Sequence, residues 1–319
     1  MGFDFDAAVG APFRMQPGLR RIAAGAPQLT PNIAPERGTA VHLREKLAVF
    51  QTYPRQALLS RPGFDATPAL DGLARHAARE QPQAFAVDGS TWIAPILGWA
   101  VEHDGALREL DPKRTPWPEV GDCLRGLPAT WRRAVLLSLA FAEDFAILDG
   151  SDATIPWLAV ALPSHWAPEH KVGRPFAEVH APVADNRLIT GAASHLARLV
   201  TGTDRWERFV WTIARHPRLH AHPDRVDPAP WPEQLHGDAL ASRAWWRTEH
   251  QTFIPIEGHA QAVFTIHVDV QPLAAALVDP ARKARVRDAL ASMSPAVLDY
   301  RGLTPVRDRL LQWLGGPGG

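Results

Sequence analysis

Strand patterns dominate the second half of the chain. Residues 206–214 alternate between two sets of side chains, with an aromatic and aliphatic set on one face and a mixed set on the other. The segments 245–256 and 262–270 flank a short turn at Glu257 and Gly258, which is typical of a β-hairpin. The pattern therefore predicts antiparallel strands with one face turned to a core.

Helical spacing of apolar residues dominates the first half. We predict helices over residues 41–60, with a break or kink at Pro54, and over residues 68–80. A short hairpin is predicted over residues 84–96, with its turn at Asp88. The first 40 or so residues are rich in Pro and Gly and are predicted to be an arm that lies on the body.

A further helix is predicted to begin at Thr130, as its N-cap, and to end at Asp149-Gly150. Glu143 and Asp144 would then lie in its last turns. Carboxylates there oppose the helix dipole, so either a specific partner holds them or they are solvated.

The remaining predicted elements are one strand and three helices. Residues 154–163 predict a strand, and Thr190 is predicted to cap a helix that Gly202 ends. Asp279 and Thr304, each followed by proline, are predicted to start two C-terminal helices. Helices, antiparallel strands and again helices, without βαβ units, indicate the α+β class.

Composition narrows the class of protein. Hydrophobic residues make up 46% and charged residues 21%, and 34 basic residues balance 34 acidic ones, so neither nucleic acid nor an anionic membrane is an expected partner. Cys123 is the only cysteine, which excludes an internal disulfide and a Cys-ligated iron–sulfur cluster. The N-terminus lacks a secretory signal, and the longest apolar run, near 134–142, is too short to span a bilayer, so we expect a cytoplasmic protein.

Chemistry concentrates in residues 162–183, LPSHWAPEHKVGRPFAEVHAPV, where Pro and Gly interrupt regular structure. We predict an irregular turn and then a short helical piece that presents His180. His220 and His222 lie among prolines and do not suggest a metal site. A single histidine suits a planar macrocycle better than a bare metal ion, because haem iron needs one proximal protein ligand. A hydrogen-bonded core histidine is the alternative.

The same stretch resembles a family signature, PS-x-W-x-P-x-x-K-x-G followed by IH-x-PVP. Other matching segments follow in the expected order: FRMQPGLRR at 13–21, AEDFAIL at 142–148, RFVWTIA at 208–214, TEHQTFIPIEGHAQAVFTIHV at 248–268 and LDYRGL at 298–303. Over nearly its whole length, the chain resembles the α subunits of haem-dependent oxidative N-demethylases, formerly a domain of unknown function.

The resemblance implies one haem-binding domain over residues 1–319, with an N-terminal arm at about 1–40 and C-terminal helices at about 279–314. Its fold would be like a Per-ARNT-Sim (PAS) domain, with an antiparallel sheet over one face of haem b and flanking helices. The implied activity is that of a monooxygenase: O2-dependent, NADPH-driven demethylation of a small secondary amine such as dimethylamine, with release of formaldehyde. FMN, a 2Fe–2S cluster and folate would belong to partner subunits, including a flavin and iron–sulfur reductase.

The resemblance also assigns residues that bind the cofactor. His180 matches the histidine of IH-x-PVP and is expected to be the iron ligand. Lys171 matches the family lysine and is expected either to pair with a haem propionate or to lie on the surface. Trp166 is expected to pack beside the macrocycle or in the core.

Four polar residues of the strands are expected to face the O2-binding side. Arg208, Glu249, Gln251 and Thr252 match family positions where donors would polarise O2 and a carboxylate would hold an ammonium substrate. Strand alternation places Glu249 and Gln251 on one face, with His250 and Thr252 on the other. Only one of these pairs can line the pocket unless a bulge intervenes.

Three departures from the family pattern leave the function open: the closing Y-K-G reads Tyr300-Arg301-Gly302 here, and two arginines are replaced by histidine. His250 and His267 stand where the family has arginines, and His lacks the permanent charge and rigid donor fork of Arg. Both are nevertheless predicted to contact the cofactor, and His250 would block O2 if it were a second axial ligand. The sequence is thus compatible with an enzyme, with a non-catalytic haem sensor or carrier, and with a scaffold that has lost the cofactor.

Overall fold

The computed structural model describes residues 3–32, 40–180, 184–185, 187–226 and 230–316. Within these ranges, helices combine with two sheets in which every pairing between strands is antiparallel. The predicted α+β class is confirmed. The likeness to a PAS domain and the extent of the domain remain predictions.

The larger sheet has seven strands in the order β1-β9-β10-β11-β7-β8-β2, and the smaller one has four in the order β3-β4-β5-β6. The strands are β1 (Arg20–Arg21), β2 (Leu58–Ser60), β3 (Ala86–Asp88), β4 (Thr91–Ala94), β5 (Trp99–Val101), β6 (Leu107–Glu109), β7 (Asp144–Asp149), β8 (Thr154–Ala159), β9 (Trp206–Ala214), β10 (Trp245–Ile256) and β11 (Gln261–Pro272).

The centre of the larger sheet is the pair β10 and β11. These strands pair over all 12 residues of β10, and β9 pairs with the other edge of β10, where Arg208 lies opposite Gln251. The predicted strand over 206–214 and the predicted hairpin are confirmed. The turn contains Gly258, whose φ of 77° lies in the left-handed region that glycine adopts without strain.

Helices pack against the larger sheet, and Ala193–Val200 contacts Leu148 and Phe253 on the face that also carries the cavity. The helices are Phe5–Ala8, Val41–Thr52, Pro54–Ala57, Thr67–Glu80, Pro118–Arg125, Ala129–Ala140, Phe176–His180, Arg187–Gly191, Ala193–Val200, Gly237–Ala241, Leu273–Ala276, Pro280–Ala291, Pro295–Tyr300 and Arg307–Gly315, with a 3-10 turn at Pro168–His170. One core lies between the first long helices and both sheets, and a second joins the N-terminal helix to the C-terminal helices.

Residues 141–149 differ most from the prediction. The helix predicted to end at Asp149 ends at Ala140, and Asp144 begins β7 instead. β7 lies between β8 and β11 with both faces covered, so its apolar run shows no alternation. A short run of this kind cannot be told from a helix by its period alone.

Gly150 shows why the stop signal was misread. Its amide donates to the carbonyl oxygen of Ala260 at 2.7 Å, and a Cβ built on it would lie 2.2 Å from Thr201 Oγ1. Glycine is therefore required at Gly150 by close packing at the end of β7, not by the end of a helix.

Three smaller differences concern element ends. Residues 58–60 form β2 beside β8 rather than the end of a helix. Thr190 lies inside the helix Arg187–Gly191 and does not cap one, while the helix Pro295–Tyr300 was not predicted. The helix that begins at Pro280, with Asp279 as its N-cap, is confirmed.

The N-terminal arm lies on the body, as predicted, within the described residues 3–32. Arg20–Arg21 pairs with β9 at the edge of the sheet, and Gln28 is fully buried. Gln28 Nε2 donates to Thr252 Oγ1 at 2.9 Å, so the arm covers one face of β10. Among the described residues, no helix has both the length and the apolar character needed to cross a bilayer.

Candidate functional site

A cavity of about 480 Å³ lies between one face of the seven-stranded sheet and the segment 164–179. β7, β8, β9, β10 and β11 all contribute side chains to it, and residues 299–302 line it as well. We call residues 164–179 the covering segment. A volume of this size is typical of a site for a small molecule or cofactor.

The pleat of β10 decides which predicted residues reach the cavity. Glu249 and Gln251 line it, whereas His250 and Thr252 project from the opposite face. β10 keeps its register with both neighbours, without a bulge between residues 245 and 253. Of the two alternative pairs that alternation left open, the first is the one at the cavity.

Glu249, Gln251 and Arg208 form the polar part of the cavity floor. Gln251 Nε2 donates to Glu249 Oε2 at 2.5 Å, and Arg208 lies opposite Gln251 on β9. Burial lowers the pKa of Arg208, while the negative charge of Glu249 acts in the opposite direction. The carboxylate therefore helps to keep a buried guanidinium charged.

Two polar atoms on β9 have no partner among the described residues. Arg208 Nε and Thr212 Oγ1 are both buried and make no hydrogen bond, and both residues line the cavity. Buried donors are nearly always satisfied in folded proteins, because an unpaired one costs free energy. Their position indicates that a bound molecule supplies the missing acceptors.

Tyr300 and Arg301 form a further part of the wall. Half of the Tyr300 surface (52%) is accessible, and the residue lines the cavity. Arg301 Nη1 donates to the carbonyl oxygen of Trp211 at 2.5 Å, and its guanidinium lies 4.6 Å from the centre of the Phe13 ring. Burial lowers the pKa of Arg301 to about 10, so it remains a cation at neutral pH.

Arg247 ties the covering segment to the sheet. Its Nε donates to Ser164 Oγ at 2.8 Å, and its Nη2 donates to the carbonyl oxygens of Leu219 at 2.7 Å and Pro163 at 3.3 Å. Its side chain is almost fully buried. A second tie comes from β7, where Asp144 Oδ2 accepts the amide of Leu162 at 2.6 Å.

Lys171 fixes the end of the helix Phe176–His180. Its Nζ donates to the carbonyl oxygen of Val179 at 2.6 Å, and both residues line the cavity. Trp166, which is half-buried, lines the cavity too and packs against the apolar cluster of Ala146 and its neighbours. The backbone of His180 ends this helix, whereas its predicted role as iron ligand depends on a side chain that lies outside the described residues.

Three residues predicted to belong to the site, His250, Thr252 and His267, lie on the far face of the sheet and do not line the cavity. His250 Nε2 lies 2.7 Å from Glu207 Oε2, and the ring stacks on Phe209 with the centres 4.5 Å apart. Thr252 Oγ1 lies 2.7 Å from Thr265 Oγ1. Contact of either residue with a ligand in this cavity, as the sequence suggested, does not agree with the fold, because the strand lies between them.

His267 belongs to a buried network on the same far face. Its Nδ1 lies 2.9 Å from Glu143 Oε1, and its ring lies 5.1 Å from that of His42. Lys46 Nζ lies 3.3 Å from Asp144 Oδ1, and both side chains are fully buried. Of the two alternatives left open for Glu143 and Asp144, specific partners rather than solvation apply, and these partners are His267 and Lys46. The cofactor contact predicted for His267 does not agree with its position.

Glu169, His222 and Asp224 form a group with metal-ligand atoms within 4.8 Å of one another. His222 Nε2 lies 3.1 Å from both carboxylate oxygens of Glu169, and the amide of Asp224 donates to His222 Nδ1 at 3.2 Å. Nδ1 is thus the acceptor, so Nε2 carries the proton and donates to Glu169. This arrangement ties the covering segment to the loop after β9.

Two cavity residues escaped the sequence reasoning. Arg247 is two residues before Glu249 on the same face of β10, so the alternation that selected Glu249 also selects it. His165 lines the cavity with a backbone φ of 62°, a left-handed conformation that is uncommon outside glycine. No sequence pattern marks that conformation at a histidine.

A planar macrocycle with acidic side chains fits these observations. The cavity is walled mainly by aliphatic and aromatic residues, among them Trp166 and Phe176, and it carries the unpaired donor of Arg208. Arg215 and Lys171 add positive charge along the wall. The fold and the site therefore define an α+β protein whose seven-stranded sheet and covering segment enclose a cavity large enough for a cofactor.

A family model described as haem-dependent oxidative N-demethylase, alpha subunit-like, matches residues 125–311, more than half of the chain. The chain belongs to this family, and the resemblance drawn from the sequence is confirmed. The description implies dependence on haem and the existence of other subunits. The match includes every strand that lines the cavity and the whole covering segment.

Proposed function

We propose that the chain is the catalytic subunit of an O2-using oxidative N-demethylase that holds haem b in the cavity and acts on a small secondary amine such as dimethylamine. The products are formaldehyde and the demethylated amine. The observation that carries the proposal is the presence of Glu249, Gln251 and Arg208 on one cavity wall in a member of this family.

The cofactor would be held from two sides. His180 is the proposed iron ligand, at the end of a helix whose last turn is fixed by Lys171. Trp166 and the apolar residues of the sheet would contact the macrocycle, and cationic residues along the wall would face its propionates. Haem iron supplies O2 binding and activation, with electrons from NADPH delivered by a flavin and iron–sulfur partner subunit.

The balance of the reaction defines what the protein must control. A methyl carbon is oxidised by two electrons and leaves as formaldehyde with one oxygen atom of O2. The other oxygen atom leaves as water, which requires two electrons from NADPH and a proton. Folate on a partner subunit would accept the formaldehyde carbon. Cys123 is buried and is the only cysteine, which supports placing the proposed iron–sulfur cluster on the partner subunit.

Glu249 is the proposed site for the amine. A small secondary amine is an ammonium ion at neutral pH, and a buried carboxylate beside a cavity binds such a cation strongly. Gln251 donates to Oε2, which leaves Oε1 of Glu249 to accept the ammonium proton. Transfer of that proton to Oε1 would expose the nitrogen lone pair that assists oxidation of the adjacent methyl group.

Arg208 is proposed to bind an anionic group or to polarise O2 through its unpaired Nε. Thr252 has no part in this proposal, because it lies on the other face of β10. The same is true of His250 and His267, so these two departures from the family pattern lie outside the cavity, whereas the third, Arg301, lines it. The hypothesis of a non-catalytic sensor rested on the loss of the arginines at the two histidine positions. It is weaker because neither position lines the cavity.

Absorption spectroscopy of the chain produced with ample haem tests the proposal. We expect a Soret band, a pyridine haemochrome spectrum of haem b and loss of the band in His180→Ala. NADPH consumption and formaldehyde release with dimethylamine, in the presence of the reductase subunit, test turnover. A protein without a Soret band, or with one that His180→Ala leaves unchanged, contradicts the proposed cofactor site. Haem binding without turnover of any small amine contradicts the enzymatic role.

A further inference from the structure

The exposed imidazole of His165, which lines the cavity, lies beside the partly buried imidazole of His216. Their ring centres are 5.4 Å apart. Both ring nitrogens of His216 are buried and make no hydrogen bond to any described residue. A buried histidine in a folded protein normally uses at least one ring nitrogen, so His216 lacks the partner that a bound group could supply.

The backbone holds His165 in place at some cost. Its φ of 62° lies in the left-handed region, which is unfavourable for a residue with a side chain. The strain is maintained because the amide of His165 donates to the carbonyl oxygen of Ala221 at 2.9 Å, while the amide of Ala221 donates to that of Pro163 at 3.0 Å. Strain that the surroundings impose in this way is a feature of functional sites.

The charges around this pair are all positive. Burial lowers the pKa of His216 to about 4, and Arg247, Arg215 and Arg218 act in the same direction. Arg247 and Arg215 are also close enough to act on His165, and within the described ranges no acidic residue counters them at either ring. The N–H groups of Arg247 donate to Ser164 and to backbone carbonyl oxygens. Arg247 therefore contributes positive charge near the two rings without a direct hydrogen bond to a bound molecule.

We propose that His165 and His216 bind a carboxylate group of the molecule in the cavity. The neutral rings offer N–H donors, and the surrounding arginines favour a negative charge. The inference rests on the proposed function for the nature of the occupant. The carboxylate has two sources: a propionate of the macrocycle, or the acid group of an N-methylated amino acid bound through its amine at Glu249.

The variants follow from the local structure. Glycine adopts a positive φ without strain, so His165→Gly removes the ring while the backbone is retained. His165→Asn keeps a short N–H donor and also tolerates this conformation. His216→Phe keeps a ring without donors. His170→Asn, in the same segment but absent from the cavity wall, is the matched control, and circular dichroism verifies that each variant is folded.

Titration of the apoprotein with haem and with haem dimethyl ester separates the first source. If a propionate binds here, His165→Gly and His216→Phe lower haem affinity about 10- to 100-fold, the loss expected for hydrogen bonds to a charged group. Binding of the ester, which has no carboxylate, is then the same in all variants. His165→Asn should recover part of the affinity, and His170→Asn should behave as wild type.

Calorimetric titration with N-methylglycine and with dimethylamine separates the second source. If the carboxylate belongs to the substrate, the two histidine variants lose N-methylglycine affinity by a similar factor and bind dimethylamine as before. Variants that bind haem, its ester and N-methylglycine as the wild type does overturn the inference and leave the proposed function intact. Failure of the wild type to bind haem refutes the proposed function instead, and the N-methylglycine titration then decides the inference alone.

Discussion

Lys171 Nζ donates a hydrogen bond of 2.6 Å to the carbonyl oxygen of Val179, the residue before His180. The last carbonyls of a helix lack partners within it, and a cation near them is favourable. Lys171 therefore positions the helix that presents the proposed iron ligand. The alternative role predicted from the sequence, pairing with a haem propionate, would have a different effect on ligand binding when the lysine is replaced.

Replacement of Lys171 by Met distinguishes these roles. If the lysine positions the helix, Lys171→Met weakens binding of haem and of haem dimethyl ester equally, by about tenfold, since about 1.5 kcal/mol is typical for a charged hydrogen bond. If it pairs with a propionate, only haem binding weakens. Soret titrations of the two ligands measure both. Arg174→Met, in the same segment, is the control and should leave both affinities unchanged.

Substitution of Glu249 by Gln should abolish most amine turnover while haem binding stays unchanged. The side chain keeps its shape but loses the charge that holds the ammonium ion and accepts its proton. Loss of a general base lowers rates by about 100-fold or more. Formaldehyde release at saturating NADPH and reductase measures the effect. An unchanged kcat/KM for Glu249→Gln would remove Glu249 from the mechanism.

Thr252→Val provides the matched control on the other face of β10. Its hydroxyl accepts from Gln28 Nε2 and pairs with Thr265, so the substitution leaves buried polar groups unsatisfied. We expect a loss of stability of about 1–3 kcal/mol in urea unfolding, with turnover per folded molecule preserved. Lost turnover in a folded Thr252→Val protein would contradict its position away from the site.

Restoring the family arginines tests whether the departures matter for catalysis. His250→Arg and His267→Arg change residues that contact Glu207 and Glu143 on the far face. We therefore expect turnover to change by less than about twofold and the Soret maximum to stay in place, with effects confined to the melting temperature. A marked shift of the Soret band in His250→Arg would show that His250 reaches the cofactor.

Lys46 and Asp144 are expected to be coupled in stability. Lys46 Nζ also donates to the carbonyl oxygens of Ser138 and Phe141, each at 3.0 Å. Lys46→Met leaves a buried carboxylate unpaired and should cost about 3–5 kcal/mol, whereas the double variant with Asp144→Asn should regain part of that loss. Additive losses in a double-mutant cycle by urea unfolding would show that the pair is not coupled.

Stability should fall as the pH drops below about 6.5, the ordinary pKa of histidine. Burial lowers the pKa of His42, although its bond to the carbonyl oxygen of Val268 raises it, and the nearby charges of His267 and Lys46 lower it further. The unfolded chain then binds a proton that the folded chain refuses, so stability is complete above pH 6.5 and declines toward the folded pKa.

His42→Gln isolates this contribution because its amide can still donate to Val268. The slope of unfolding free energy against pH should decrease by at most one proton, or about 1.4 kcal/mol per pH unit. Urea unfolding at pH 7.5, 6.0 and 5.0 measures the slope. A slope equal to that of the wild type would show that His42 does not titrate in this range.

β9 and the hairpin of β10 and β11 were predictable, because one face of β9 is apolar and Glu257-Gly258 marks a turn. The alternation of β9 and the turn at Gly258 fixed the hairpin, and the pleat then separated Glu249 from His250. β7 was missed because both of its faces are buried, so its apolar run has no period. The partner of Asp144 was beyond prediction, since Lys46 lies almost a hundred residues away along the chain.

The covering segment was recognised by composition and by motif, but its conformation was not. Its course depends on long-range contacts, including those of Arg247 with Ser164 and of His222 with Glu169. Local sequence carries no information about such partners. The left-handed backbone of His165 is maintained by the backbone hydrogen bonds that Ala221 makes with His165 and Pro163.

Alternate residues of β10 face the cavity and the N-terminal arm. This alternation restricts how the length of the strand can vary. Insertion or deletion of one codon within 245–256 would exchange the two sets, sending Glu249 and Gln251 beneath the arm and His250 into the cavity. Substitutions on either face are separable, whereas a change in length alters both at once. Relatives should therefore differ in which residues occupy this strand but keep the number of residues in it constant. Variation in length should be confined to the turn at 257–260.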